Sequence, residues 1–438
     1  MEPLLAGRRI RIVTLGCRTN LSEAEALASA LEARGASFAD DASWDAAVLV
    51  SCSVTGEADR KCRQAIRRLR REQPGGLLVV CGCWAQAADE EQTRALGVDI
   101  LVGNRRKSDI PELVTRCLSE RSPGQVVLRG DVRNDMRWDG LRGGGPVMHT
   151  RAFVKVQDGC DHFCSYCVIP YVRGRSVSRP MEDVLDEIRS IVAAGCREVV
   201  LSGIHLGDYR PGNGESLAAL VACVAEVQGV ERIRFGSLEP FSVDETLLRV
   251  LSETPAFCRH LHLPLQSGDD GILARMRRGH TAGDFLDLVA RIRRSLGDDV
   301  HISTDILVGF PGETPEAFEN TLRVLERAGI GRTHAFPFSP RKGTPAASYP
   351  DRVPDQILSE RVRRVRDASD ARLAAYARRF AGRTVRMLVE GGSDAGVEGL
   401  IPEYLRVEAT GSAEAGTIAN VLVAETRGEL LKGRVIPS

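Results

Sequence analysis

Short runs of β-branched residues alternate with helix-like stretches through residues 8–104, and this alternation limits the possible fold more than any other feature. Strands are predicted at Arg8–Cys17, Asp45–Cys52, Leu77–Cys83 and Val98–Gly103. Helices are predicted at Leu21–Gly35, with Ser22 as N-cap and Gly35 as the stop, and at Glu57–Glu72. Apolar strands joined through helices form parallel sheets that are covered on both faces. The sequence therefore predicts an α/β domain with a doubly wound parallel sheet.

A second alternating series begins at Ala152, after a linker predicted at residues 131–150 from its run Gly143-Gly144-Gly145-Pro146. The strands predicted in this series are Ala152–Val156, Glu198–Ser202, Arg232–Gly236, His260–Leu265, His301–Val308 and Thr333–Phe338. Helix-like segments such as Met181–Ala194 and Ala282–Leu296 lie between them. Six β/α units are fewer than the eight of a closed TIM barrel, so we predict a partial (β/α)6 barrel.

The character of the chain changes again after a helical, Arg-rich stretch at residues 355–381. Beyond Gly382, short strands are predicted at Val385–Glu390, Val397–Ile401, Arg406–Ala409 and Ile418–Glu425. Turns that contain glycine separate these strands. This pattern is typical of a small five-stranded β-barrel. The predicted divisions are a first domain at residues 1–130, the linker at 131–150, a second domain at 151–378 and a terminal barrel at 379–438.

Charge and hydrophobicity exclude few functions. The 438 residues carry equal numbers of acidic and basic side chains, so net charge argues neither for nor against a nucleic-acid partner. No membrane-spanning apolar run or signal peptide is evident, so we expect a cytoplasmic protein without a membrane partner. We also expect a monomer. Twelve cysteines in such a chain do not suggest a disulfide framework. Four isolated cysteines are expected in hydrophobic cores: Cys117, Cys196, Cys223 and Cys258.

Three cysteines lie just after the first strand of the second series, in the pattern C-x3-C-x2-C formed by Cys160, Cys164 and Cys167. Three thiolates so close in sequence can surround one metal centre. An ordinary four-iron cluster takes four protein ligands, so three leave one iron open for an exogenous ligand, as in a catalytic site. A zinc ion whose fourth ligand is His162 is the alternative.

Three further cysteines end the first three strands of the first domain: Cys17, Cys52 and Cys83. The carboxyl ends of parallel strands lie along one edge of the sheet, where ligands bind. We therefore expect the fold to bring these thiols together as a second metal site with an open iron. The alternatives are unrelated core cysteines at turns, or participation of Cys62, which lies inside the following helix, or of Cys81, which lies further back in its strand.

Motifs along the whole chain resemble those of the radical-SAM methylthiotransferase family. These motifs are Thr14–Asn20 with Glu23, Gly82–Gln86, Gln157–Cys167, Ile169–Gly174, Leu201–Gly207, Ser237–Pro240, His262–Gly268, Thr304–Thr314 and Ser339–Pro345. The resemblance implies an N-terminal domain with an auxiliary [4Fe-4S] cluster, a radical-SAM core and a C-terminal TRAM barrel, which agrees with the three parts predicted above. One departure is Val50-Ser51, where the family usually has Asn-Thr before the middle cysteine.

The same resemblance implies the cofactors, which are two [4Fe-4S] clusters and S-adenosylmethionine. It places the auxiliary cluster on Cys17, Cys52 and Cys83. It places the catalytic cluster, which cleaves S-adenosylmethionine to a 5′-deoxyadenosyl radical, on Cys160, Cys164 and Cys167. Thiols of low pKa are expected at both sites, because the thiolate is the form that binds metal.

Within this family, two branches modify the adenosine at position 37 of tRNA, 3′ of the anticodon, and a third modifies an aspartate of a ribosomal protein. The tRNA branches differ in whether N6 carries an isopentenyl or a threonylcarbamoyl group. Segments similar to the threonylcarbamoyl branch are Ser53–Asp59, Gly203–Asp208 and Cys258–His262. This similarity implies a tRNA methylthiotransferase that binds the anticodon stem-loop and takes electrons from a donor such as flavodoxin or ferredoxin. The other two substrates are the alternatives.

Five residues at or near the ends of predicted barrel strands are candidates for binding the cofactor or the substrate: Ser202, Gly203, Glu239, Gln266 and Asp305. Tight turns or caps of neighbouring loops are the alternative for each. The Arg-rich helix is a candidate for contacts with tRNA phosphates, and a solvated helix face is its alternative. Tyr404 is the single aromatic residue after Gly382, which favours contacts of the terminal barrel with the RNA backbone over base stacking.

Overall fold

The first domain is built on a parallel sheet. The fold comes from a computed structural model that describes residues 4–120, 124–143, 150–212, 214–393 and 396–437. The strands are β1 (Arg9–Thr14), β2 (Ser37–Phe38), β3 (Ala46–Ser51), β4 (Leu77–Gly82), β5 (Ile100–Val102) and β6 (Val126–Leu128). They are ordered β2-β1-β3-β4-β5-β6, and every neighbouring pair is parallel. The sequence pattern misses β2 and β6, which are too short to show a periodicity.

Helices cover both faces of this sheet. They are α1 (Arg18–Glu32), α2 (Gly56–Glu72), α3 (Cys83–Ala87), α4 (Glu90–Ala95) and α5 (Ile110–Ser119). Leu27 of α1 and Ile110 of α5 belong to the core on one face, whereas Ile66 and Leu69 of α2 belong to the core on the other. β3 is buried along its whole length because it lies between the two layers. The doubly wound sheet is thus confirmed.

The start of α1 differs from the sequence prediction. The helix begins at Arg18, with Cys17 in the extended N-cap position, and it ends at Glu32, before the turn that contains Gly35. Ser22, predicted as the N-cap, is a buried residue inside the helix. A serine before apolar residues suggests a cap from sequence, but here it belongs to a helix face buried within the protein. The N-terminus of α1 therefore lies at Cys17, where the helix dipole favours negative charge.

The second domain is an open barrel of parallel strands. In the described residues its strands are β7 (Arg151–Lys155), β8 (Gln157–Asp158), β9 (Val177–Ser178), β10 (Glu198–Ser202), β11 (Arg232–Phe235), β12 (His260–His262), β13 (His301–Val308) and β14 (Arg332–Pro337). β8 and β9 form a small antiparallel pair, and the others form two parallel sheets, β11-β10-β7 and β12-β13-β14. The bridges Ile233–Phe257 and Ser237–His262 join these sheets. The partial (β/α)6 barrel is confirmed.

Helices surround this barrel and share one core with it. They are α6 (Ile169–Val172), α7 (Met181–Ala193), α8 (Leu217–Ala225), α9 (Glu245–Glu253), α10 (Asp270–Met276), α11 (Ala282–Leu296) and α12 (Pro315–Arg327). Val154 and Leu201 on the strands pack in the same cluster as Ile188 and Phe285 on the helices. Burial of this apolar surface holds the strand ends, and the loops that follow them, at defined positions.

The predicted linker is only partly a spacer. The Asp139 carboxylate accepts hydrogen bonds from the backbone N–H groups of Lys107 (3.0 Å) and Ser108 (3.1 Å) in the first domain. Arg142 pairs with Asp183 (2.7 Å) in the second domain. The rest of the predicted linker, residues 144–149, lies outside the described residues. Residues 131–143 therefore contact both domains.

The chain continues through a long helix, α13 (Asp355–Arg378), into a closed barrel. The barrel strands are β15 (Thr384–Ser393), β16 (Gly396–Leu400), β17 (Arg406–Thr410), β18 (Ile418–Arg427) and β19 (Leu430–Ile436). They close in the order β15-β16-β17-β19-β18. The five-stranded barrel is confirmed, although the sequence pattern locates only four of its strands. Across the described ranges, no helix combines the length and the apolar character needed to cross a bilayer.

The Arg-rich helix is not a free basic face. Arg361 is buried and pairs with Glu313 (2.6 Å), and Arg364 pairs with Glu319 (2.7 Å), so these arginines hold α13 against the second domain. Arg366 is exposed, and the described part of the chain gives it no ion-pair partner. The suggestion that the whole run of arginines tracks phosphates is therefore wrong for its buried members.

A buried ion network joins the first domain to the barrel. Glu23 of α1 is 3% exposed, and its carboxylate contacts Lys107 (3.0 Å), Lys155 (2.7 Å) and Arg173 (2.9 Å). Arg173 and Lys155 also pair with Asp158, at 2.9 and 2.7 Å. Burial alone would raise the pKa of Glu23, but the three cations hold it well below the ordinary value of 4.5. Glu23 is therefore ionised at neutral pH and ties the two domains together.

Replacing Glu23 with alanine is expected to lower the free energy of unfolding by about 3–5 kcal/mol, because buried cations lose their partner. Since folding depresses the pKa of Glu23, its contribution is present above pH 4.5 and is lost as the pH falls below that value. Urea unfolding of the cofactor-free protein at neutral and acidic pH measures both effects. Glu57→Ala, which removes an exposed pair with Arg60, is the control and should change stability little. A loss no larger than the control's would contradict the role of the network.

Candidate functional site

The first cysteine triad lies in a loop at the carboxyl end of the first barrel strand, where the active sites of such barrels are found. The loop is fixed at both ends. The backbone N–H of Cys160 donates to the Gly174 oxygen (3.0 Å), and that of Ser165 donates to the Met276 oxygen (2.9 Å). The Ser165 hydroxyl also donates to the Arg275 oxygen (2.8 Å). The barrel therefore positions this loop before any ligand binds.

The thiols of this loop lie close together and are largely buried. Burial raises the pKa of Cys160 to about 12 and also raises that of Cys167, and the neighbouring Cys164 adds to both shifts. The expectation of low pKa values is wrong for these free thiols, because desolvation outweighs the local hydrogen bonds. The backbone N–H of His162 lies 3.4 Å from Sγ of Cys160, and Nη1 of Arg278 lies 3.6 Å from Sγ of Cys164. Donors directed at sulfur suit a metal-bound thiolate.

Gln157 organises this loop, although sequence reasoning gave it no role of its own. Its Nε2 donates to the Gly159 oxygen (2.8 Å) and to Oγ of Ser176 (2.9 Å), and its Oε1 accepts from the N–H of His205 (2.8 Å). A Cβ at position 203 would lie 2.9 Å from Oε1 of Gln157, so Gly203 permits this close approach. Gly203 therefore has a packing role beside the loop.

The fold also brings Cys17, Cys52 and Cys83 to one edge of the first sheet. Cys17 is the N-cap of α1, Cys52 follows β3, and Cys83 begins α3. The pKa of Cys52 is raised to about 11, mainly by burial and then by the charges of Cys83 and Cys17, so the other two thiols lie near Cys52. Gly16 has φ +107°, and a Cβ there would lie 2.6 Å from Cβ of Cys52. Glycine is therefore required for this approach.

The other cysteines have structural surroundings. Cys62 is fully buried in the core beneath α2, and its thiol donates to the Cys52 backbone oxygen (3.2 Å). Cys81 belongs to the core on the opposite face of the sheet. Burial raises the pKa of both thiols to about 12. The four isolated cysteines are buried or half-buried, as expected: Cys117, Cys196, Cys223 and Cys258.

Arg173 links the two triads, and sequence reasoning missed its role. The side chain is 0% exposed, and its Nε lies 3.2 Å from Sγ of Cys83. Its Nη1 donates to Asp158 (2.9 Å), two residues before Cys160, and its Nη2 donates to Oδ1 of Asn20 (2.7 Å). One guanidinium therefore contacts Cys83 of the second triad and Asp158, which lies just before the loop that carries the first triad. Only these contacts distinguish Arg173 from the many other arginines of the chain.

Two asparagines complete the surroundings of the second triad. Nδ2 of Asn104 lies 3.6 Å from Sγ of Cys83, and Nδ2 of Asn20 donates to the Ser51 backbone oxygen (3.0 Å). The hydroxyl of Ser51 accepts from the N–H of Ala85 in α3 (3.2 Å). Ser51 stands where the family usually has threonine, so this departure keeps a hydroxyl that fixes the helix carrying Cys83.

Two of the predicted contact residues also serve the barrel itself. The hydroxyl of Ser202 is buried and donates to the Val154 backbone oxygen (3.3 Å). The backbone N–H of Gln266 donates to the Asp305 oxygen (2.8 Å), and its φ of +71° is uncommon for a residue other than glycine. Within the described residues the Gln266 side-chain amide has no hydrogen-bond partner, so it is available to a ligand.

The two predicted carboxylates lie in different places. Glu239 pairs with Arg278, which also faces Cys164, so the structure brings Glu239 to the first triad. Asp305 is 25% exposed, and its Oδ2 lies 3.1 Å from Nε2 of His262. Asp305 therefore belongs to a histidine-lined part of the barrel rather than to the surroundings of the cysteine loop.

A single zinc ion fits neither triad. Thiolates around one zinc lie about 3.8 Å apart, given a Zn–S distance of about 2.3 Å. Among the described residues, one group of three possible metal ligands has all its ligand atoms within 4.8 Å of one another. It consists of His162, His205 and Asp208 and contains no cysteine. The ring of His162 packs against His205 (4.9 Å) and Phe241 (4.5 Å). In neither triad, therefore, do all three sulfurs lie within 4.8 Å of one another, as they would around one zinc ion.

Two family models match the chain. The model described as the radical SAM superfamily matches residues 154–325, which include the first triad. The model described as uncharacterized protein family UPF0004 matches residues 9–103, which include the second triad. Each triad therefore lies within a separately recognised domain.

Curated relatives match most of the chain. The threonylcarbamoyladenosine tRNA methylthiotransferase MtaB of Chlamydia pneumoniae is 36% identical over 97% of this chain and 98% of its own. The protein of the same name from Bacillus subtilis is 35% identical over 86% of this chain and 84% of its own. The tRNA-2-methylthio-N(6)-dimethylallyladenosine synthase of Vibrio parahaemolyticus is 35% identical over 88% of this chain and 82% of its own.

Solved structures share the fold at low sequence identity. The radical S-adenosylmethionine methyltransferase TsrM of Kitasatospora setae, with cobalamin and a [4Fe-4S] cluster bound, has a TM-score of 0.60 at 17% identity. The alignment covers 78% of this chain and 77% of TsrM. The cobalamin-dependent enzyme OxsB has a TM-score of 0.51 at 14% identity, over 84% of this chain and 58% of OxsB. With relatives at 35–36% identity over most of its length, this chain belongs to the tRNA methylthiotransferase family of radical-SAM enzymes.

Proposed function

We propose that this protein converts N6-threonylcarbamoyladenosine at position 37 of tRNA to its 2-methylthio derivative, using two [4Fe-4S] clusters and S-adenosylmethionine. The proposed ligands of the catalytic cluster are Cys160, Cys164 and Cys167. The proposed ligands of the auxiliary cluster are Cys17, Cys52 and Cys83. The observation that carries the proposal is that buried Arg173 contacts both Cys83 and Asp158, which holds the two thiol sites next to each other.

When bound, the cofactors supply the electron that cleaves S-adenosylmethionine and the sulfur that, once methylated, replaces the hydrogen on C2 of adenine. The residues of the chain hold and shield these groups. Arg278, paired with Glu239, places a positive charge beside Cys164. Tyr166, within the cysteine loop, is partly buried and packs against an apolar group that includes Phe310. Such a wall keeps water away from a radical.

The choice of threonylcarbamoyladenosine is supported by a relative named for that substrate, which matches this chain over 97% of its length. Relatives named for N6-dimethylallyladenosine, which carries the isopentenyl group, match at 33–35% identity. The isopentenyl substrate is therefore an alternative with nearly equal support, and a ribosomal-protein aspartate is a second alternative. The cysteine sites would serve all three substrates, so the choice has to be made by experiment.

We infer that the anticodon stem-loop enters where the first domain, the second domain and the terminal barrel meet. Tyr404, the single aromatic residue after Gly382, is half-buried at this meeting point, which supports backbone contacts by the barrel surface. A flavodoxin or ferredoxin as electron donor, a monomeric state and a cytoplasmic location stay predictions.

Cys160→Ala is expected to abolish formation of 5′-deoxyadenosine, because the catalytic cluster loses a ligand. Cys17→Ala is expected to block the methylthio product while some cofactor cleavage continues, because only the auxiliary site changes. Chromatography after anaerobic reconstitution measures 5′-deoxyadenosine and the methylthio product. In a variant that lacks all three cysteines of one triad, the iron content should fall from about eight per chain to about four. Cys223→Ala is the control. Persistent 5′-deoxyadenosine formation by the Cys160 variant would contradict the assignment of Cys160 as a ligand of the catalytic cluster.

A strain that lacks this protein is expected to lose 2-methylthio-N6-threonylcarbamoyladenosine and to accumulate the unmethylthiolated nucleoside. Mass spectrometry of digested total tRNA measures both. Wild-type protein should restore the modification, and the Cys160→Ala variant should not. Loss of the methylthio-isopentenyl nucleoside instead would assign the other tRNA substrate, and no change in either nucleoside would favour the ribosomal protein.

Arg173→Gln is expected to lower the reduction potential of the auxiliary cluster, because the substitution removes a positive charge and an N–H donor from the sulfur of Cys83. A redox titration followed by electron paramagnetic resonance measures the potential, in protein whose catalytic triad is replaced so that only the auxiliary cluster gives a signal. Arg175→Gln removes a neighbouring exposed arginine, paired with Asp161, and is the matched control. Equal potentials in the two variants would contradict the role of Arg173.

A further inference from the structure

A cation from the first domain reaches the interior of the barrel. Arg18, the residue after Cys17, donates from Nη2 to Oη of Tyr404 (2.8 Å), and its guanidinium lies 5.3 Å from the centre of that ring. Arg18 also acts electrostatically on His260 of β12 and His334 of β14. In the described part of the chain no carboxylate pairs with Arg18. Its charge is therefore available to an anion.

The barrel wall next to Arg18 carries polar and aromatic groups that face the same space. The register of β13 and β14 pairs Asp305 with His334, and the rings of His334 and His262 lie 5.7 Å apart. Asp305 contacts His262 at 3.1 Å, and within the described residues it makes no direct contact with Arg18. Phe336, two residues after His334 on the same strand face, is 45% exposed. An exposed phenyl ring beside these polar groups and the cation of Arg18 suits a ligand that has both a flat ring and an anionic group.

Tyr404 holds Arg18 in this position. Its ring stacks on His260, with centroids 4.7 Å apart and planes 16° apart. Its backbone adopts φ +64°, which is strained for a tyrosine. Arg234 secures the loop before it by donating to the backbone oxygen of Pro402 (2.9 Å). A strained, half-buried tyrosine fixed by the barrel is a rigid acceptor for a flexible arginine, which lowers the entropy lost when Arg18 binds a ligand.

We propose that Arg18, positioned by Tyr404 and assisted by His334, binds the carboxylate of the N6-threonylcarbamoyl group. This inference rests on the proposed function and assigns its substrate specificity. C2 and N6 lie on the same edge of adenine, on either side of N1. A base that presents C2 to the site of Cys17 therefore also holds its N6 substituent near that site, and Arg18 is the neighbouring residue of the chain. An isopentenyl group has no charge and would desolvate Arg18 without compensation, so Arg18 selects against it.

The test compares the binding of two RNA ligands to wild type and to an Arg18 variant, as in a double-mutant cycle. Two RNA hairpins with the anticodon stem-loop sequence are compared, one carrying N6-threonylcarbamoyladenosine and one carrying its methyl ester, which removes the negative charge. Dissociation constants are measured by fluorescence anisotropy with reconstituted holoenzyme in the absence of S-adenosylmethionine. Wild type should bind the acid about ten- to one-hundredfold more tightly than the ester. Arg18→Gln should bind both hairpins equally, with about the affinity of wild type for the ester.

Further variants separate a direct contact from a general loss of charge or of folding. Arg18→Lys should retain part of the preference for the acid, and Tyr404→Phe should reduce it, because the acceptor that orients Arg18 is lost. Arg366→Gln, on an exposed face of α13, should leave the ratio of the two dissociation constants unchanged. Since Arg18 follows Cys17, each variant must also retain the wild-type iron content.

The outcomes distinguish this inference from the proposed function. If wild type and Arg18→Gln show the same ratio of dissociation constants, Arg18 does not bind the carboxylate, and this inference is overturned. The proposed function stands in that case if wild type still methylthiolates the acid hairpin. If wild type converts only an isopentenyladenosine hairpin, the proposed substrate and this inference fail together.

Discussion

Three cations and two carboxylates lie buried between the first domain and the barrel, and this ion network determines where the two cysteine triads lie. Removing each ion from water costs several kcal/mol, which is offset only while every partner is in place. Glu23 comes from the helix that Cys17 caps, whereas Asp158 and Arg173 flank the loop of the other triad. Any shift of one domain along the other would leave buried charges unpaired. The separation of the triads is therefore fixed by the same contacts that join the domains.

The directly paired network has one positive charge in excess, and the excess lies next to the second triad. Nε of Arg173 faces Sγ of Cys83, while its other nitrogens are taken by Asp158, Glu23 and Asn20. A thiolate bound to iron carries the negative charge that this arrangement lacks. The free thiol of Cys52 does not supply it, because burial raises its pKa to about 11. Metal binding and completion of the network are therefore coupled, as is common where ligands must lose protons to bind.

Sequence reasoning succeeded where one strong local pattern decides the structure. Apolar runs located β3, β4, β10 and β13, and the spacing of Cys160 to Cys167 identified a metal-binding loop. It failed where a residue acts through partners distant in sequence. Ser22 resembles a cap but is buried within α1, and Arg173 resembles any other arginine until its contact with Cys83 is seen. The low pKa expected for the thiols failed at Cys52, Cys160 and Cys167 for the same reason, because burial is a property of the fold.

A six-stranded barrel is open along one side, and this opening explains why the chain needs its other two domains. Helix α1 carries Glu23 to Lys155 at the end of β7, while Arg18 at its start acts on His334 of β14. The first domain therefore contacts the edge strand β7 and brings Cys17 with it. The terminal barrel contributes Tyr404, which contacts Arg18 and stacks on His260. A closed eight-stranded barrel would leave no side access for a nucleotide within a large RNA. The open barrel provides that access, and residues from all three domains line the space in which the base would lie.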